Sequence, residues 1–206
     1  HHLSRFSDYL ALDPDMLVFY VGTNDLVKRL FPEWIDNAGL FERLARHSLV
    51  LRRRFPSSVL PPERPIREDF RAATIANLEI IAERAKKRGV AMAVCGFAHP
   101  TPALLTPAER AYYEATRFEF DGMDAAAAER ASRALSFGAY LRAIDLLNEE
   151  LRAFCARAGA TYIPVAETCQ GGAILFGDIC HMKNYGIMRK AECVARSLAP
   201  LLESHQ

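Results

Sequence analysis

Three short apolar runs alternate with longer amphipathic segments along the chain, and this alternation predicts the secondary structure. The predicted strands cover residues 16–21, 90–97 and 161–165. Unbroken apolar runs of this length are typical of strands that are buried on both faces of a parallel sheet. Between the strands, apolar residues recur at helical spacing, most clearly over residues 140–158 and 184–198.

Strands that alternate with helices predict right-handed crossovers and a parallel sheet covered by helices. We therefore expect an α/β fold of three layers, α/β/α, and a single domain over residues 1–206, because no repeat or linker divides the chain. Leu3, Phe6 and Leu10 predict a short helix near the start. Further helices are predicted over residues 38–53, over 69–85, where Asp69 is the cap, and over 107–133, where Gly122 breaks the helix. Proline-rich loops are predicted over residues 56–65 and 99–107.

Composition narrows the classes of partner. Lys and Arg number 26 against 25 Asp and Glu, which gives a formal net charge of +1 and no electrostatic case for nucleic acid or an anionic membrane as partner. No apolar stretch approaches the length that spans a bilayer. The five cysteines are odd in number and irregularly spaced, which favours reduced thiols and slightly favours the cytoplasm over a secreted or periplasmic location. A single disulfide bond, between Cys169 and Cys180, is the alternative that the sequence leaves open.

A polar turn follows the first predicted strand and consists of Gly22, Thr23, Asn24 and Asp25. Ligands of open α/β sheets bind beyond the carboxyl ends of the strands. At that place the N–H of Gly22 and the side-chain amide of Asn24 can donate together to an oxyanion. The same residues also suit a plain turn and helix cap, which is the favoured interpretation for the four in isolation and for Asp25 in any case.

Asp178 and His181 lie three residues apart, before the last predicted helix. On a helical turn this spacing places both on one face, where the carboxylate fixes the imidazole tautomer and leaves the other ring nitrogen as a general base. Taken alone, such a pair is more often a solvated ion pair. Cys180 and Cys169 lie nearby, but their spacing matches no regular zinc-ligand pattern, so no metal site is predicted.

Together, the Gly-Thr-Asn-Asp turn and the later Asp-Ile-Cys-His segment resemble the SGNH (GDSL-like) hydrolase superfamily. The resemblance implies a flavodoxin-like fold and an esterase that acts on a small-molecule, carbohydrate or lipid ester through a Ser-His-Asp triad, without metal or organic cofactor. It implies that Asn24 donates to the oxyanion from its side chain and Gly22 from its backbone. His181 would be the general base, oriented by Asp178.

The nucleophile segment of that superfamily does not occur in these residues. The chain holds no Gly-Asp-Ser and no Gly-x-Ser-x-Gly, and Ser4 and Ser7 lie in a helical segment that suits surface or cap roles. We expect the nucleophile and two further strands upstream of residue 1, in a preceding stretch or a docked N-terminal fragment, because a sheet without them would expose a buried edge. Alternatives are a carbohydrate O-acetyltransferase or deacetylase on the same fold, and a binding domain that has lost its serine.

Overall fold

The structure, a computed structural model, describes residues 2–21, 71–116 and 137–203. Three parallel strands form one sheet in these ranges: β1 (Met16–Tyr20), β2 (Ala91–Cys95) and β3 (Thr161–Ile163). Their order in the sheet follows their order in the chain. Tyr20 pairs with Cys95, and Cys95 pairs with Ile163, so the carboxyl ends of the three strands are level.

Helices connect and cover these strands. In the described ranges they are α1 (Phe6–Leu10), α2 (Ala72–Lys87), α3 (Pro107–Thr116), α4 (Phe137–Ala158), α5 (Val165–Thr168) and α6 (Asn184–Glu203), with a 3₁₀ turn at Pro102–Leu104. Gly89 follows α2 and Gly159 follows α4, with φ of 69° and 67°. Glycine adopts this left-handed conformation without steric cost, and it lets the chain turn from each helix into the next strand.

β2 is the centre of the hydrophobic core, because its side chains enter two different clusters. Met92 and Val94 join one cluster, and Ala93 and Cys95 join the other. The first cluster includes residues of α1, α2 and α4, and the second includes residues of α3, α4 and α6. Burial on both faces is the physical reason for the unbroken apolar run, since every position of β2 after Ala91 is buried.

The three predicted strands are confirmed, each somewhat shorter than the apolar run that predicts it. The helices predicted around residues 69–85, 140–158 and 184–198 are also present, whereas α5 was missed because four residues are too few to show a helical period. The three-layer arrangement, the further strands and the single domain stay predictions. The segments that lie outside the described residues are 38–53, 56–65, Asp69 and 117–133.

None of the helices in the described ranges combines the length and the apolar character that crossing a bilayer requires. β1 lies at one end of the described sheet, and Val18 in its middle is 45% exposed. The strand that carries the chain toward Gly22 and Asn24 is therefore less covered than β2.

Asn148 of α4 fixes the chain just beyond β2. Its Oδ1 accepts a hydrogen bond from the N–H of Phe97 at 2.7 Å, and its Nδ2 donates to the carbonyl of Phe97 at 3.0 Å. Asn148 is a buried polar residue, so these two bonds satisfy backbone groups that water does not reach. The side chain thereby takes the place of a neighbouring strand where β3 has ended.

Replacing Asn148 by Ala should lower the free energy of unfolding by about 2–4 kcal/mol, because both backbone groups of Phe97 lose their partner in a buried place. Urea denaturation of the variant measures this loss. The control is Glu149→Ala, which removes an exposed ion pair with Arg142 and should cost less than about 1 kcal/mol. Equal stability of the two variants would contradict the role assigned to Asn148.

Candidate functional site

The candidate site lies in the loop of residues 169–183, which joins α5 to α6 at the carboxyl edge of the sheet. The loop that follows β2 reaches the same place: the N–H of Thr101 donates to the carbonyl of Gly171 at 2.9 Å, and the N–H of Gly171 donates to the Thr101 hydroxyl at 3.1 Å. Ligands of open α/β sheets bind at this edge. Asp178 and His181 are therefore in the region where a functional site is expected.

Residues 175–183 form a small hairpin, called the site hairpin below. Phe176 and Met182 form an antiparallel bridge, and the N–H of Gly177 donates to the carbonyl of His181 at 2.8 Å. These contacts close the two arms of the hairpin just below its tip. The backbone on either side of the tip is consequently fixed.

Asp178 and His181 are in contact at the tip of the site hairpin. Oδ2 of Asp178 lies 2.8 Å from Nδ1 of His181, while Oδ1 accepts from the N–H groups of Cys180 at 2.9 Å and of His181 at 2.7 Å. The sequence predicted this pair on a helical turn, and the structure instead forms it in a bend, where the carboxylate organises the tip by bonding its own backbone.

Hydrogen bonding keeps the Asp178 carboxyl ionised. Its partial burial raises the pKa, but the N–H groups of Cys180 and His181 and the imidazole together outweigh burial, so the pKa lies below its usual range. An ionised carboxylate beside Nδ1 favours the tautomer that carries its proton on Nδ1. This arrangement gives Nε2 of His181 the acceptor role, on a side chain that is 65% exposed.

Two consecutive tyrosines of α3 support the site hairpin from below. The hydroxyl of Tyr112 donates to the carbonyl of Gly177 and that of Tyr113 to the carbonyl of Phe176, each at 3.2 Å. Tyr113 is fully buried, and burial raises the pKa of its hydroxyl to about 12, so it stays a hydrogen-bond donor. Sequence reasoning missed this role because it joins residues more than 60 positions apart.

Glu109 links the start of α3 to the loop before the site hairpin. Its Oε2 accepts from the N–H and the hydroxyl of Thr106, both at 2.8 Å, and its Oε1 accepts from the N–H of Ala173 at 2.8 Å. The hydrogen bonds from the N–H groups of Thr106 and Ala173 lower the pKa of Glu109. The bonds from Thr106 to Glu109 form a capping box at the start of α3, which the sequence shows as Thr-x-x-Glu. The contact with Ala173 has no such local pattern.

The first turn of α6 packs directly on the site hairpin. A Cβ atom added at Gly186 would overlap the carbonyl oxygen of Leu175. Next to this contact, Nζ of Lys183 donates to the carbonyl of Ala173 at 2.6 Å. Only a glycine allows this close approach, which fixes the helix against the arm of the hairpin that leads to Asp178.

A second histidine–aspartate pair lies at the same edge and was not predicted. Nε2 of His99 is 2.9 Å from Oδ1 of Asp145, and its Nδ1 is 2.9 Å from the carbonyl oxygen of Pro100. The side chain of His99 is 11% exposed. Both ring nitrogens face acceptors of this chain, which makes His99 a structural contact rather than a proton acceptor for a ligand.

The predicted oxyanion residues Gly22 and Asn24, with Asp25, lie outside the described residues. The chain toward them is described as far as Val21. The hydroxyl of Tyr20, the last residue of β1, accepts from the N–H of Ala98 at 3.3 Å. The ring of Tyr20 also lies 4.3 Å from Nζ of Lys190 in α6. β1 therefore ends among the elements that carry the site hairpin.

The five cysteines all fall in described residues and are buried free thiols. Neither Cys169 nor Cys180 forms the bridge that the sequence left open. Cys180 instead lies at the tip of the site hairpin, with its Sγ 3.5 Å from Nδ1 of His181.

Comparison with known proteins identifies a similar fold. No family model and no curated protein matches the chain. A solved GDSL-like lipase from Bacteroides thetaiotaomicron VPI-5482 is similar over 99% of this chain and 70% of its own, with 15% sequence identity and a TM-score of 0.51. The α/β structure with its parallel sheet is thus compatible with the fold of a GDSL-like lipase.

Replacing Glu109 by Gln should destabilise the protein in a pH-dependent way. Because the folded-state pKa of Glu109 lies below its ordinary value of 4.5, the carboxylate stabilises the fold above that pH, and this contribution is lost as the pH falls through the folded-state pKa. Thermal unfolding followed by circular dichroism should show a lower Tm than wild type at neutral pH and a shrinking difference in acid.

The matched control for this prediction is Glu149→Gln, which alters only an exposed ion pair and should shift the Tm little at any pH. A deficit of Glu109→Gln that stays constant from neutral to acidic pH would show that the carboxylate charge is not what holds the loop.

Proposed function

We propose that the chain belongs to a serine esterase of the SGNH (GDSL-like) type, which transfers the acyl group of an ester to water. The contact of 2.8 Å between Oδ2 of Asp178 and Nδ1 of His181, at the carboxyl edge of a parallel sheet, carries this proposal. The similar fold of a GDSL-like lipase supports it. The substrate class is an ester of a small molecule, a carbohydrate or a lipid, and the reaction needs no metal or organic cofactor.

In the proposed mechanism, Nε2 of His181 removes the proton of a serine hydroxyl while the serine oxygen attacks the ester carbonyl carbon. The imidazolium then gives this proton to the leaving alcohol, and a water molecule repeats the sequence to release the acid. Asp178 stabilises the imidazolium and keeps the ring in place. The low pKa of its carboxyl suits this role, because the group stays charged throughout.

The serine and the oxyanion donors complete the proposed site. No residue of this chain matches a Gly-Asp-Ser segment, so we assign the serine to a segment outside the 206 residues. The N–H of Gly22 and the side-chain amide of Asn24 are the proposed donors to the oxyanion. The position of Tyr20 at the end of β1, against Ala98 and Lys190, supports this assignment, since the chain enters Gly22 from the edge that carries the dyad.

Replacing His181 by Ala, in the protein that includes its serine segment, should lower kcat for a short aryl ester such as p-nitrophenyl acetate by about 10²–10⁴-fold. The loss of the general base is the reason, and the exposed side chain makes the change harmless to the core. The control is His99→Gln, which removes the other paired histidine of this edge and should retain kcat within a few fold. Wild-type turnover by His181→Ala would exclude the mechanism.

Replacing Asp178 by Asn tests the tautomer. The amide oxygen can still accept from the backbone of the hairpin tip, but an amide NH₂ toward Nδ1 would force the imidazole proton onto Nε2. We expect kcat to fall by about 10²-fold or more with little change in KM. Asp145→Asn is the matched control, because it alters the carboxylate beside His99 alone. Equal kcat values for the two variants would refute the role of Asp178.

A further inference from the structure

Cys180 brings a third metal-ligating group to the Asp178–His181 pair. One ligand atom from each of the three residues lies within 4.8 Å of the other two. In the part of the chain that the structure describes, no other set of three histidine, cysteine or carboxylate side chains is gathered in this way. The three donors differ in kind, and a thiol, an imidazole and a carboxylate are the ligands that zinc takes in proteins.

We propose that Asp178, Cys180 and His181 form a binding site for a thiophilic divalent cation, and that Zn²⁺ is the ion that it fits. Tetrahedral zinc with Zn–S and Zn–N distances of about 2.3 and 2.0 Å holds the sulfur and the nitrogen about 3.5 Å apart. The distance from Sγ of Cys180 to Nδ1 of His181 is 3.5 Å. The two ligands that discriminate most among metals are thus already at the spacing that zinc requires.

The carboxylate can become the third ligand with a small adjustment. Oδ2 of Asp178 and Nδ1 of His181 are 2.8 Å apart and must separate to about 3.3 Å around a zinc ion. Rotation of the imidazole provides this movement, since the ring is 65% exposed. Oδ1 meanwhile stays bound to two backbone N–H groups of the tip, so the carboxylate keeps its orientation.

Binding of the cation changes the protons of two ligands. The Cys180 thiol loses its proton to the solvent, and His181 takes the neutral tautomer with its proton on Nε2, so that the thiolate and Nδ1 coordinate the metal. A cation on Nδ1 replaces the proton that faces Asp178. Metal binding and the general-base role of His181 therefore exclude each other, a consequence that rests on the proposed function, whereas the binding itself does not.

The test is a titration of the metal-free full-length protein with Cd²⁺, whose bond to a thiolate produces an ultraviolet charge-transfer band. The wild-type protein should show a band that saturates at one equivalent and that added Zn²⁺ suppresses. Cys180→Ser should abolish the band, and His181→Gln, a change at an exposed ring, should weaken Cd²⁺ binding by about tenfold or more. Because the readout requires no turnover, its failure is distinguishable from failure of the hydrolase proposal.

The control variant is Cys155→Ala, which removes a buried thiol of α4 in the other hydrophobic cluster and should leave the band and its affinity unchanged. Circular dichroism verifies that each variant is folded. Absence of a saturable band in the wild-type protein, or an undiminished band in Cys180→Ser, overturns the proposal.

Discussion

The Asp178 carboxylate accepts hydrogen bonds at both of its oxygens, and the geometry of the site depends on this division. Oδ1 accepts from two backbone N–H groups of the hairpin tip, and Oδ2 lies beside Nδ1 of His181. One side chain therefore shapes the turn and also aims the imidazole. The hydrogen bonds from the tip also stabilise the negative charge, which is why the carboxyl stays ionised although it is partly buried.

The site hairpin depends on neighbours that are remote in the sequence. Tyr112 and Tyr113 donate hydrogen bonds to its carbonyls, and Glu109 accepts one from the loop before it. Gly186 lets the first turn of α6 pack closely against it, because it has no Cβ atom. At the tip itself, Ile179 and Cys180 are buried in the core cluster, so these polar contacts act together with apolar burial to order the hairpin. The same principle applies at Asn148, whose amide replaces a missing strand partner for Phe97.

The strands and long helices could be predicted because their signal is local. An apolar run such as residues 91–95, or the repeating apolar face of α4, reports burial directly. The contact between Asp178 and His181 was predicted from a spacing of three residues, although the turn that forms it is a bend and not a helix.

The pairing of His99 with Asp145 joins positions 46 residues apart and has no local signal. The sequence predicts no metal site at Cys180 because its spacing matches no regular zinc-ligand pattern, whereas the hairpin tip brings one atom of Asp178, Cys180 and His181 within 4.8 Å of one another. The positions of Gly22 and Asn24 stay predictions.

Tyr112 and Tyr113 of α3 donate hydrogen bonds to main-chain oxygens of the site hairpin and not to its side chains. A hydrogen bond to a carbonyl does not depend on which residue owns that carbonyl, so it tolerates change at the position it holds. Residues of the hairpin can therefore change while Tyr112 and Tyr113 still hold the carbonyls of Gly177 and Phe176. Such an attachment separates the identity of the hairpin residues from the position of the backbone that carries Asp178 and His181.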